Sequence, residues 1–239
     1  MSLSIEEIEL QLEEYPHDLS AWKEWLAYRR RFHLPQDRYK QYLREIECLS
    51  TDFLGYEWWI DNSKDLNILS GLCSGIKTLN LSSLDMESTE GITDFIAPNL
   101  NTLLITGPVN IELTRVYPRL YLYSCKIRFA DTVDLSSIED LILDDTQFED
   151  KEVIYKAYNL KNLTVYRPPN FNIQLDLFKN LTYLWIASTD HQDYLKNMGS
   201  SDTLLAIDLR IPGSYLLENL VDNGWYPNLE HPIKGKNKR

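Results

Sequence analysis

The side chains that most often perform catalysis are scattered along this chain. The four histidines and three cysteines occur at no spacing typical of a metal site or a catalytic dyad. The sequence has no phosphate-binding glycine loop, no nucleophile elbow and no zinc-protease motif. The stretch Asp190–Asp193, which contains His191, could supply metal ligands, but it fits a solvated loop better. Cys125 could act as a nucleophile, but buried cysteines are usually inert. We therefore expect no enzyme, no cofactor and no metal.

Composition is that of an ordinary globular protein, with 44% hydrophobic and 25% charged residues. No apolar run approaches the roughly 18 residues that suggest a membrane helix. The acidic amino terminus lacks the cationic start and apolar core of a secretory signal. Three cysteines are too few for a disulfide framework. We expect a cytoplasmic protein with reduced thiols and no membrane contact.

The acidic charge balance has two interpretations: it keeps the protein soluble, which is the favoured one, or it attracts a basic partner. The chain has 24 basic and 36 acidic residues, which gives a net charge of −12 and repels phosphate backbones. The exception is the segment 23–44, which contains seven basic residues. Tyr28, Tyr39 and Tyr42 lie among them and could stack on bases. The alternative for this segment is a salt-bridged face opposite the acidic first helix. Nucleic acid is therefore the disfavoured partner, and a protein with a basic surface is the favoured one.

The first 75 residues have the periodicity of helices. Ser4 and Glu7 form a capping box at the start of an amphipathic helix that Pro16 ends. Further apolar stripes at helical spacing predict a second helix near 19–26 and a third over 39–49, with Cys48 beside its buried face. Two more helical stretches are predicted before Gly75.

From residue 76 onwards, a six-residue pattern of three aliphatic positions, L-x-x-L-x-L, recurs seven times. Its copies are IKTLNL (76–81), LNTLLI (100–105), YPRLYL (117–122), IEDLIL (138–143), LKNLTV (160–165), LTYLWI (181–186) and LLAIDL (204–209). The offsets between copies are 24, 17, 21, 22, 21 and 23 residues, a period typical of stacked solenoids. The alternation predicts short strands that stack in parallel with their aliphatic columns inward.

The segments between the strands are expected to form the opposite wall of the core. Short helices carrying Ile92, Phe95 and Ile96, and Val153, Ile154 and Tyr158, are predicted to do so. The 17-residue repeat leaves too little room for a helix, so an extended or single-turn return is expected there.

Residues 76–211 resemble leucine-rich repeats, whose pattern is L-x-x-L-x-L-x-x-N/C-x-L. The strand half matches in all seven copies, while the N/C half fits fully only at Cys125-x-Ile127 and nearly at Thr146-x-Phe148. The resemblance implies an α/β fold, a leucine-rich-repeat solenoid with a parallel concave sheet, preceded by an all-α amino-terminal cap. Its missing asparagines imply an irregular, flatter arc.

Four segments are predicted in this way: a helical amino-terminal cap over 1–75, the solenoid over 76–211, a carboxy-terminal cap over 212–228 and a basic, disordered tail over 229–239. The carboxy-terminal cap is expected to place Leu216, Leu217 and Leu220 against the last repeat. The segment 15–31 is weakly similar to helices that precede leucine-rich repeats in some bacterial proteins. It is equally similar to a single half-a-TPR repeat from RNA-processing factors.

The outward positions of the predicted strands are the candidate binding site. Alternation directs the residues between the aliphatic columns away from the core and brings aromatic and acidic side chains together on one sheet face. The predicted partner-binding residues are Tyr121, Tyr123, Asp140, Ile142, Asp144, Tyr166, Tyr183 and Trp185. Further acids are expected to cluster beside them, at Glu139, Asp145, Glu149, Asp150 and Glu152, against the single cation Lys151. The alternative is that the aromatic rings pack laterally and stabilise the sheet without a ligand.

These observations favour a non-catalytic protein–protein interaction module that binds its partner on the concave face. Tyrosine and tryptophan dominate protein interfaces, and acids steer a basic partner. One alternative is an immunity or antitoxin-like inhibitor of a basic toxin. Another is a subunit of an RNA-processing or other multiprotein assembly.

Overall fold

A computed structural model describes residues 4–15, 21, 24–25, 47–50, 75–82, 88–90, 98–187, 197–209 and 224–232 of the 239. The predictions for the helices near 39–46 and 53–73, for Ile92, Phe95 and Ile96, for the loop at 190–193 and for the leucines at 216–220 lie outside these residues. No helix of the described ranges is both long enough and apolar enough to cross a membrane.

The first helix, α1, spans Ile5–Glu14, as predicted. Its capping box is present: the Ser4 hydroxyl accepts from the Glu7 amide at 3.2 Å, and the Glu7 carboxylate accepts from the Ser4 amide at 2.7 Å. Ile8 and Leu12 form its buried stripe. The isolated described residues Ala21, Glu24 and Trp25 are also helical, within the range predicted for the second helix.

A parallel sheet of nine strands, here called the long sheet, organises the repeats. All seven L-x-x-L-x-L segments form strands in it, which confirms the strand prediction. These strands are β2 (Thr78–Ser82), β3 (Thr102–Thr106), β5 (Arg119–Tyr123), β7 (Asp140–Asp144), β9 (Asn162–Val165), β10 (Tyr183–Ile186) and β11 (Ala206–Leu209). Each strand pairs in parallel with its neighbours in the order of the sequence, so the chain is a solenoid of stacked parallel strands.

The aliphatic columns are buried, as the alternation predicts. The second aliphatic position of every repeat is at most 4% exposed, and its members are Leu79, Leu103, Leu120, Leu141, Leu163, Leu184 and Ile207. Burying a leucine or isoleucine side chain stabilises the fold by roughly 1.5–3 kcal/mol relative to leaving it in water. No single repeat can obtain this energy, because its neighbours supply the surface that covers each column.

Both ends of the long sheet differ from the prediction. At one end, β1 (Cys48–Ser50) pairs in parallel with Thr78–Asn80, so the prediction of a helix through Cys48 is wrong. At the other end, β12 (His231–Pro232) pairs with Ala206 and Ile207, so the disordered tail does not begin at 229. Local periodicity cannot detect either strand, since each is only two or three residues long and is stabilised by the free edge of the neighbouring strand.

The segments that connect consecutive strands of the long sheet form a second sheet, here called the short sheet, which the sequence pattern did not reveal. It contains β4 (Asn110–Leu113), β6 (Lys126–Phe129) and β8 (Gln147–Phe148), all parallel. The extended return predicted for the 17-residue repeat is confirmed, because β4 lies within it. Later returns use 3-10 helices at Leu135–Ser137, Glu152–Lys156 and Leu175–Leu177.

One prediction about these returns is only partly correct. Ile154 is buried and Val153 is partly buried against the core, as predicted. Tyr158 is 57% exposed and does not line the wall. The 3-10 helix ends at Lys156, and this shorter turn changes the direction in which Tyr158 leaves the chain.

Candidate functional site: the outward face of the long sheet

The strand register aligns the outward residues in rows across the repeats. Tyr121, Ile142 and Thr164 are paired positions, and the same row continues to Trp185 and Asp208. A second row runs through Arg119, Asp140, Asn162 and Tyr183, and a third pairs Tyr123 with Asp144. These rows are the ones that the repeat arithmetic predicts. We call the side chains of these three rows, with Tyr166, the outward face.

All eight predicted partner-binding residues are half-buried on this face. They are Tyr121, Tyr123, Asp140, Ile142, Asp144, Tyr166, Tyr183 and Trp185. Alternating burial along β5 and β7 explains this, because the residues between them in sequence, such as Leu120 and Leu143, are fully covered. The strands therefore hold the outward side chains on a rigid base while part of each remains accessible.

Three aromatic rings of the outward face contact one another. The centroids of Tyr166 and Trp185 lie 4.7 Å apart with the rings nearly perpendicular, at 87°. Tyr123 and Tyr166 lie 6.3 Å apart and are tilted by 41°. The first pair is edge-to-face and the second is tilted, so lateral packing stabilises the sheet here, as the alternative hypothesis predicts. Tyr121 lies on β5, two strands away from β9 and Tyr166, and forms neither of these two contacts.

The first ion-pair cluster lies where the strands begin. The Arg119 guanidinium Nε is 3.3 Å from an Asp140 carboxylate oxygen, and the Asn162 amide donates to the same carboxylate. Arg119 and Asp140 are paired positions on neighbouring strands, so the ion pair connects two consecutive repeats. The Asp140 side chain is 27% exposed, which places its charge close to the protein surface but already matched by a cation.

A second ion-pair cluster lies where the strands end. Arg167 donates from Nε to Asp144 at 2.6 Å and from a terminal nitrogen to the Ser124 hydroxyl at 3.2 Å, and it lies 3.5 Å from Asp145. Ser124 and Asp145 both adopt left-handed backbone conformations, with φ of 53° and 52°. Such turns are available to short polar residues, and here they direct both side chains towards Arg167.

Five of the seven acids expected beside the aromatic rows pair with cations. Besides Asp140 and Asp144, Glu139 pairs with Lys161 at 2.9 Å and Glu149 with Lys126 at 3.2 Å. Glu149 directly follows β8 of the short sheet, away from the aromatic rows, and Asp150 accepts from the backbone amide of Glu152. Each pairing cation comes from another repeat, so counting charges within residues 139–152 misses it.

The cations of these clusters are the functional candidates that the sequence analysis missed. Ser124, Asp145 and Arg167 each occupy the eighth position of their repeats, whose first positions are residues 117, 138 and 160. Aligning the repeats one residue further would have placed Arg167 beside two acids. The pKa of Arg167 is raised, first by its hydrogen bond to Asp144 and then by the charge of Asp144, so the cluster keeps its cation.

Burial also affects the tyrosine hydroxyls of the outward face. Partial desolvation is the main reason that the pKa values of Tyr121 and Tyr123 are raised above their usual range. The neighbouring carboxylates Asp140 and Asp144 add to this effect in Tyr121 and Tyr123, respectively. Both tyrosines therefore remain neutral and present a hydroxyl that can donate or accept a hydrogen bond.

Cys125 fills an interior position of the repeat. It is 3% exposed, and burial raises the pKa of its thiol to about 12. A thiol this far from ionisation is a poor nucleophile. At the equivalent position of the next repeat, the buried Thr146 hydroxyl donates to the Leu122 carbonyl at 3.0 Å. Within the described ranges, no group of three or more histidine, cysteine or acidic side chains could hold a metal ion.

The fold and the outward face together define a parallel-strand repeat solenoid with an aromatic surface bordered by ion pairs. No protein-family model matches the sequence, and no curated protein matches it either.

Proposed function

We propose that this chain is a non-catalytic protein-interaction module that binds a partner protein on the outward face of the long sheet. The observation that supports this most is the set of half-buried aromatic side chains on one face of the sheet, with Tyr121 and Tyr123 on β5, Tyr166 directly after β9 and Trp185 on β10. Aromatic anchors on a rigid base bury a large area at little cost in conformational entropy. The ring contacts within the set keep these anchors in one arrangement before a partner arrives.

We further propose that the repeats are of the leucine-rich type and that the outward face is concave. Support comes from the repeat period and from the buried Cys125 and Thr146, which occupy the position where leucine-rich repeats carry asparagine or cysteine. The Thr146 hydroxyl bonds the backbone of the preceding repeat, the task that an asparagine amide performs in regular repeats. A concave sheet would let several repeats contact one partner at once.

The partner that we favour has a basic surface, and the protein works in the cytoplasm. The net charge of −12 supports both this partner and the narrower hypothesis of an inhibitor that covers a basic toxin. The internal ion pairs limit how many acids of the outward face take part, so the charge of the whole molecule steers encounter while the aromatic residues supply affinity. A role in an RNA-processing assembly depends on residues 23–44, outside the described side chains of this face.

A capture experiment with matched tyrosine variants tests the site. Wild-type protein, Tyr121→Ala and Trp185→Ala serve as baits in lysate of the native cell, and Tyr158→Ala is the control because Tyr158 is an exposed tyrosine outside the outward face. We expect one protein to be retained by wild type and Tyr158→Ala and lost from the other two. With that protein purified, surface plasmon resonance should show a loss of about 2 kcal/mol, mostly as faster dissociation.

The same experiment can contradict the proposal. If all four baits retain the same proteins while circular dichroism shows that each variant is folded, the outward face is not the binding site.

A further inference from the structure

The acids of the outward face differ in whether an internal cation neutralises them. Asp140 pairs with Arg119, and Asp144 pairs with Arg167. Asp208 lies on the same face, half-buried on β11, and its carboxylate forms no hydrogen bond or ion pair with the described part of the chain. A partner cation that approaches Asp144 has to displace Arg167, whereas no cation of the described residues pairs with Asp208. Asp208 is therefore the acid of this face best able to gain energy from a partner's charge.

The position of Asp208 also combines charge with aromatic surface. The register pairs Asp208 with Trp185, so their backbones are about 4.8 Å apart and both side chains leave the same face. A cation that binds the Asp208 carboxylate therefore lies beside the indole of Trp185. Partial burial lowers the local dielectric constant, which strengthens an ion pair formed there relative to one in open solvent.

We infer that Asp208, beside Trp185, receives an arginine side chain of the partner protein. This inference rests on the proposed protein-binding function. Within it, the acid that binds the partner's cation is Asp208, at the end of the row that contains Tyr121 and Trp185, and not Asp140 or Asp144. Arginine fits better than lysine, because a guanidinium pairs with a carboxylate through two parallel hydrogen bonds and its flat surface packs on neighbouring aromatic groups. An ammonium group offers only a compact, strongly hydrated charge.

Small amino-acid derivatives can test this site without the partner. The full-length, nitrogen-15-labelled protein is titrated with N-acetyl-arginine N-methylamide while the amide signals of Ala206–Leu209 and the indole signal of Trp185 are followed by NMR. The neutral, nearly isosteric N-acetyl-citrulline N-methylamide and the corresponding lysine derivative are the comparison ligands. We expect saturable shifts with arginine and affinities roughly tenfold weaker for citrulline and clearly weaker for lysine.

Matched aspartate variants connect the shifts to one carboxylate. Asp208→Asn should weaken arginine binding roughly tenfold, and Asp208→Glu should restore most of it because the charge returns. Asp144→Asn is the control, since Asp144 is an aspartate of the same face with its own cation, and its affinity should match wild type. Dispersed amide spectra establish that each variant is folded.

Several results overturn the inference: equal affinity of Asp208→Asn and wild type, an equal loss in Asp144→Asn, or lysine binding as well as arginine. These results leave the proposed function intact if partner capture still depends on Tyr121 and Trp185. Conversely, capture that is insensitive to Tyr121→Ala, together with arginine shifts at Asp208, removes the proposed function but not the arginine site.

Discussion

The strands of the long sheet have two faces that the sequence fills in different ways. Facing inward, each repeat places a leucine, isoleucine or valine at the same two positions, and the described ones are at most 4% exposed. Facing outward, the middle row changes from Leu104 through Tyr121, Ile142, Thr164 and Trp185 to Asp208. Inward residues are equivalent because every repeat meets the same core, whereas each outward residue has its own neighbours. This difference separates the residues that maintain the solenoid from those that can define a binding site.

The largest expected effect is on the inward face. Leu141→Ala should lower the free energy of unfolding by about 2–5 kcal/mol, because it removes buried contacts and leaves a cavity. Ile142→Ala is the matched control on the outward face of the same strand and should cost about 1 kcal/mol. Urea unfolding measures both. Equal losses for the two variants would contradict the proposed division between the faces.

The buried thiol of Cys125 should make stability depend on pH. Its pKa is raised by burial from 9.0 to about 12, so the folded state holds the proton after the unfolded state has released it. Its contribution is fully present below about pH 9 and falls by up to about 1.4 kcal/mol per pH unit as the pH rises towards 12.

Cys125→Ala tests this effect, because the variant loses a constant amount of stability from its cavity but not this pH-dependent part. The difference in unfolding free energy between wild type and Cys125→Ala should shrink between about pH 8 and about pH 10.5. Tyr226, whose pKa burial also raises to about 12, is present in both proteins and cancels. A constant difference across this range would refute the prediction.

A smaller effect is expected where a buried hydroxyl connects two repeats. Thr146→Val removes the 3.0 Å hydrogen bond to the Leu122 carbonyl while keeping the size of the side chain. The loss should be about 1 kcal/mol in urea unfolding. Thr164→Val on the outward face is the control, and its stability should stay within about 0.5 kcal/mol of wild type. If the two valines behave alike, the Thr146 hydroxyl is not important for stacking.

The smallest expected effect concerns the ion pairs of the outward face. Arg167→Ala breaks contacts with Ser124, Asp144 and Asp145, but the guanidinium is mostly exposed, so we expect a loss of about 0.2–1 kcal/mol. Added salt should reduce this loss, since it screens surface charges. Thermal unfolding at low and high ionic strength measures it. A loss that does not change with salt would mean that Arg167 acts through packing instead.

Sequence reasoning identified the strands and the rows of the candidate site because both depend on alternation, a local property of the chain. In any strand, a residue two positions from a buried leucine also faces the core, whereas a residue one position from it faces outward. The position of Tyr121 beside Ile142 then follows from aligning the repeats. The helix predicted through Cys48 failed for the opposite reason. The strand that forms there is only three residues long, so the local pattern does not distinguish it from a helix. Pairing with the free edge at Thr78–Asn80 determined its conformation.

The amino-acid sequence by itself determined which face of each strand is buried, how the repeats align and which side chains share the outward face. The tertiary structure decided which of those side chains are compensated: Arg167 neutralises Asp144 from the next repeat, Arg119 reaches Asp140, and Asp208 is left with no such cation among the described residues. The physical reason is that burial follows the period of the strand, which is local. Charge compensation depends on distances of about 3 Å between side chains some twenty residues apart, which only stacking and rotamers set.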